Sequence, residues 1–93
     1  MLVQIFAIYD SKAESYLQPF FSQTRGSAIR AFTDSVNDTT GESQFAKHPE
    51  DYTLFHLGEF DDQNAKLTEN ATPISLGVAI EFKKTYSSPV TAG

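Results

Sequence analysis

From Leu2 to Tyr9 the alternate residues Val3, Ile5, Ala7 and Tyr9 are apolar or aromatic, and so are Leu2, Phe6 and Ile8 between them, with Gln4 the exception. Its β-branched and aromatic content predicts a strand. Apolar side chains on both alternating faces predict that the strand is covered twice, by two layers of one domain or by one layer and a second copy. That is hard to satisfy in a chain of 93 residues, which buries roughly two thirds of its unfolded surface at best. Twelve aromatics, eight of them Phe, add large buried areas per residue, while Trp and Cys are both absent. Stability must therefore come from packing or from oligomerisation, and a homodimer is expected.

Asp10-Ser-Lys-Ala is turn-like, and Glu14 to Phe21 is expected to return as a second strand, with Pro19 confining it to an edge or bulge because it lacks an N–H. Ser27 is the expected cap of a helix running to about Val36 or Asn37, with Ile29, Phe32 and Val36 on one stripe and Ala28 beside it. Asp38 to Ser43 reads as a flexible polar connection around Gly41, and His48-Pro-Glu-Asp51 as the start of a helical turn. Tyr52 to Phe60 is a strong strand pattern, reversed by Asp61 to Asn64 into Lys66 to Glu69. Ile74, Leu76, Val78, Ile80 and Phe82 alternate with smaller or polar residues and favour a C-terminal strand. The alternative is a short amphipathic helix, since positions 74, 78 and 82 also share a helical face. The expected fold is thus a single α+β domain over residues 1–84. In it an antiparallel sheet, built from two hairpins and a C-terminal strand, packs on one main helix at 27–37. Residues 85–93 are expected to form a flexible tail.

The formal charge of −5 is unevenly placed. Residues 1–35 are balanced, whereas 36–82 carry nine acids against Lys47 and Lys66. An acidic domain without a basic stripe starts with a penalty against non-specific nucleic-acid binding, so any DNA contact has to be local. Tyr16, Phe20 and Phe21 lie close to Arg25 and Arg30, which combines stacking platforms with phosphate or cation–π contacts, and Lys83 and Lys84 add two further cations. These seven residues are the candidate single-stranded DNA contacts; their competing reading is core packing and edge protection. A second functional class is a dimeric protein adaptor whose acids Glu50, Asp51, Glu59, Asp61 and Asp62 dock on a basic viral or host protein without touching DNA.

Catalysis is not expected. Thiol chemistry is excluded by the lack of Cys, and neither a phosphate-binding Gly-rich loop nor a G-x-S-x-G elbow is present. His48 and His56 lack further ligands at metal spacing, and a lone His in a strand such as His56 is read as a satisfied, half-buried residue. No cofactor, metal or membrane span is expected.

The ordered series Ile5-Phe-Ala-Ile-Tyr-Asp-Ser-Lys-Ala-Glu14, Leu17-Gln-Pro-Phe-Phe21, Arg25-Gly-Ser-Ala-Ile-Arg-Ala-Phe32, Asp34-Ser-Val-Asn37, His48-Pro-Glu-Asp-Tyr52 and Leu57-Gly-Glu-Phe-Asp-Asp62 resembles the small nonstructural protein of gokushoviruses, small phages with circular single-stranded DNA genomes. The resemblance spans most of residues 2–84. It implies an accessory role in phage genome replication and packaging, through contact with DNA or with a phage or host replication protein, in the cytoplasm of the infected bacterial host. It brings no catalytic motif.

Overall fold

The computed structural model describes residues 1–84; the expected tail at 85–93 lies outside them. One antiparallel sheet dominates. Strand β1 (Leu2–Asp10) occupies its interior, flanked on one side by the two short strands β2 (Ser15–Tyr16) and β3 (Phe20–Ser22) and on the other by β4 (Tyr52–Asp61), with β5 (Lys66–Val78) at the far edge. The expected return strand is interrupted over Leu17 to Pro19, where proline denies the ladder a donor. Both tight turns start on an aspartate. Asp10 Oδ1 accepts from the amides of Lys12 (3.0 Å) and Ala13 (3.3 Å), and Asp61 Oδ1 accepts from the amide of Gln63 (3.0 Å), which holds the chain in its reversal.

The expected separate C-terminal strand is corrected. Lys66 to Val78 is one thirteen-residue strand that runs through Pro73, and Ala79 to Phe82 is a 3₁₀ turn. As the edge strand β5 can carry a proline, so the pattern at 74–82 was strand for its first half and helical turn for its second. The fold is accordingly a mostly antiparallel β-sheet with one main helix, rather than two hairpins plus an added strand on a helical layer.

Helix α1 spans Arg25–Val36 and is capped by Thr24 rather than Ser27. Thr24 Oγ1 accepts from the Ser27 amide at 3.0 Å and Ser27 Oγ accepts from the Thr24 amide at 3.2 Å, so two hydroxyls satisfy each other's free donors and the helix gains a half-turn. The connection expected to be flexible is pinned: Ser43 caps the short helix α2 (Gln44–Lys47) and donates to Ser35 O at 2.7 Å. Pro49 to Asp51 forms a 3₁₀ turn leading into β4.

Helix α1 covers one end of one sheet face. Phe6 and Ile8 of β1, Tyr52 and Leu54 of β4, and Ala28, Phe32, Val36 and Ala79 form the core. Phe32 and Phe45 pack edge to face at 5.6 Å, as do Phe45 and Tyr52 at 4.8 Å. The far end of the sheet extends past the helix, which gives the molecule extents of 54 × 29 × 24 Å and a radius of gyration of 15.3 Å. A compact domain of this size would measure about 12 Å.

The two edges of β4 are distorted at one level. Leu57 is an extra residue opposite the Ile5–Phe6 step, and four residues of β5, 70–73, stand opposite it on the other side. Gly58 sits at this double bulge, where a Cβ would lie 2.2 Å from Thr68 O and 2.8 Å from Glu69 Cα. Only glycine allows β4 and β5 to approach so closely there.

Candidate nucleic-acid interface

The edge formed by β2, β3 and the first turns of α1 carries several of the predicted contacts, with Tyr16 and Phe21 on the sheet face away from the helix and Arg25 and Arg30 on α1 itself. Between Glu14 and Asp34 the chain carries Arg25 and Arg30 and no acid, although Asp34 lines the same surface depression as Arg30 and Glu59 acts on His56, the partner of Arg25. Tyr16 (46% exposed) and Phe21 (56% exposed) stand in solvent on this edge, because β2 and β3 pair only with β1 and turn alternate side chains to the face away from the helix. Tyr16 packs on Tyr9 (4.9 Å) and Phe55 (5.6 Å), and Phe21 on Phe60 (5.8 Å), so each ring is held from one side and open on the other. Phe20, on the opposite face, instead stacks on Phe6 at 5.7 Å against the core. It is a packing residue.

Arg25 and Arg30 are both exposed on α1. Arg25 is aimed by a histidine. His56 is 5% exposed, and its Nδ1 lies 3.2 Å from Arg25 Nη2 and 3.1 Å from Asn70 Nδ2, while Nε2 lies 2.7 Å from Gln4 Oε1. Guanidinium and amide N–H groups only donate, so Nδ1 is the acceptor and Nε2–H donates to Gln4; the ring is neutral. Burial, followed by the Arg25 charge, pushes the His56 pKa below its ordinary value. The satisfied-histidine reading of the sequence holds, while Gln4 and Asn70, distant in the chain and carrying no local pattern, were not anticipated.

Lys83 and Lys84 are not part of this edge. Lys83 Nζ donates to Val36 O (3.3 Å) and Ala46 O (3.1 Å), neutralising carbonyls at the ends of α1 and α2, and the Lys84 amide donates to Asn37 Oδ1 at 2.7 Å. Nor do the acids form one patch. Glu50 and Asp51 precede β4 whereas Asp61 and Asp62 lie at its other end, about 30 Å away by strand rise. Asp62 holds the Met1 amino group at 2.9 Å. Among the described residues, no three His, Asp or Glu side chains converge as a metal site requires, and no helix is long and apolar enough to cross a membrane.

The sequence model of the Phage ORF5 protein family matches residues 3–82. The chain belongs to the Phage ORF5 protein family. A curated relative, Protein ORF5 of Chlamydia phage 1, is 33% identical over 75 residues, covering 78% of this chain and 74% of that protein. The resemblance to a small protein of gokushoviruses therefore holds, and the Phage ORF5 chain is a phage protein present in an infected host. No solved structure matches it. The family match runs from β1 to the 3₁₀ turn after β5, so the β2–β3 edge and the open sheet face both lie inside it.

Proposed function

We propose that this Phage ORF5 protein is a non-enzymatic accessory factor of genome replication in a single-stranded DNA phage, acting in the host cytoplasm by contacting single-stranded DNA along the β2–β3 edge and the first half of α1. The observation that carries the reading is the exposure of Arg25, Arg30, Tyr16 and Phe21 within a stretch of sequence, residues 15–33, that carries no acid, in a chain that is otherwise acidic. Bases stack on the open faces of Tyr16 and Phe21 while the arginines meet phosphates, a sequence-tolerant mode suited to a displaced genome strand. With two cations per copy the affinity is modest and salt-sensitive. Fluorescence anisotropy of the purified protein with labelled single- and double-stranded oligonucleotides at low salt tests this. Preferential binding of the single strand is expected, and no binding at low salt would overturn the reading.

A further inference from the structure

Among the described residues, no helix packs on the sheet face turned away from α1, whose larger side chains on β1 and β4 are half-buried against one another. Cross-strand register assigns Val3, Ile5 and Tyr9 of β1 to it, with Phe60 opposite Val3 and Phe55 opposite Ala7 on β4. Leu67 of β5 pairs with Phe60 and continues the apolar surface at 67% exposure. Beside it, Ile5, Leu57, Leu67 and Pro73 line a shallow depression of about 390 Å³ at the double bulge. Among the described strand residues of this face the one charged side chain is Glu69.

We infer that this face is covered by a second copy of the chain, two sheets packing face to face in a symmetric dimer. Three observations select that occupant. The first is chemical: a surface rich in Phe and Tyr and nearly free of charge has the composition of an interface core. Without a lysine or arginine it neutralises no phosphate, so DNA phosphates belong beside the α1 arginines instead. The second is electrostatic. Each copy carries −5, and the nine acids of residues 36–82 place only Glu69 on this face, so two copies meet with little like-charge repulsion. The third is area. Four strand positions about 4.8 Å apart and a β1 ladder of about 30 Å give roughly 570 Å² in plan. Side-chain relief and the longer β5 raise this toward the roughly 800 Å² per partner of a stable interface.

Such a dimer covers β1 on both faces, which its sequence demands and the monomer does not provide. It stacks the sheets about 10 Å apart and leaves Arg25 and Arg30, on the helix side of each copy, outside the interface, whereas Tyr16 and Phe21 share the buried face at its β2–β3 margin, so dimerisation and base stacking on these two rings compete. The inference stands on the sheet alone and does not depend on the DNA reading.

Sedimentation equilibrium of the full chain at about 100 µM, well above a micromolar Kd, is the test, with Leu67→Glu and Phe60→Ser as variants. The expected mass is twice the 10.3 kDa of the chain, falling to the single-chain mass in both variants while far-UV circular dichroism is retained. Leu67 is so exposed that its replacement leaves the monomer core intact, which keeps the test decisive if Phe60→Ser fails to fold. Monomeric wild type, or a dimer indifferent to Leu67→Glu, would overturn the inference. Arg25→Gln with Arg30→Gln leaves the mass unchanged, so a failure of DNA binding and a failure of dimerisation are read separately.

Discussion

His56 shows how one buried side chain organises a surface. Its two acceptor contacts at Nδ1 and its donor contact at Nε2 require the neutral ring, so protonation would remove the Nδ1 lone pair and set a second positive charge against Arg25. Glu59 is the nearby charge that acts in the other direction. Because the folded pKa lies below the unfolded value of 6.5, the unfolded chain takes up the proton first. Stability is fully present above pH 6.5 and is lost as pH falls below it. Thermal melts between pH 7.5 and 5 should show the midpoint declining with acid in wild type and a flatter profile in His56→Gln. At the same scale, Lys83 ties together the C-termini of α1 and α2. Lys83→Met should cost about 1–2 kcal/mol of stability, measured by urea unfolding, whereas Lys84→Ala should stay within about 0.5 kcal/mol. Both the His56 cluster and the Lys83 clamp join residues far apart in the chain, Gln4 with His56 and Val36 with Lys83, so no local spacing announces them.

The elements follow from chemistry that is mostly local. The alternation in β1 and β4 and the stripe Ile29, Phe32 and Val36 were legible because strand and helix periods are read directly from side-chain polarity. The start of α1 was misplaced by two residues since Thr24 and Ser27 are both competent caps, and only the folded geometry shows them bonding reciprocally. The end of β5 was misread for a different reason. Ile74 to Val78 is strand, but its register slips at Leu76, so Ile74 lies opposite inward-facing His56 and Val78 opposite outward-facing Thr53; Gly77 adopts a φ of +139° with the Phe82 ring against it, and the chain then turns instead of extending. The double bulge at Leu57 and 70–73 was invisible, although Gly58 is its trace in the sequence. Gly58→Ala forces a Cβ into the β5 backbone and should destabilise by about 1–3 kcal/mol. Calorimetry should show that loss, while the same change at exposed Gly41, itself at φ +85°, pays only local backbone strain.

At the scale of the molecule, an acidic chain presents two exposed arginines on α1 and an aromatic face whose one charged strand side chain, among the described residues, is Glu69, and Tyr16 and Phe21 stand where the two meet. The two-sided apolar pattern of β1 made the uncovered face foreseeable, and the acid-free stretch from Ser15 to Thr33 was equally plain in the sequence. Which predicted contacts share a surface was not, because Phe20 and Phe21 are neighbours in the chain but face opposite sides of the sheet. The most direct measurement is the salt dependence of single-stranded oligonucleotide binding by wild type and by the Arg25→Gln, Arg30→Gln double variant. Each phosphate contact to single strands contributes about 0.7 to the slope of log K against log salt. We predict a measurable slope in wild type that falls by about 1.4 per chain in the double variant. An identical slope in the two proteins would contradict the assignment of DNA to the β2–β3 edge and α1.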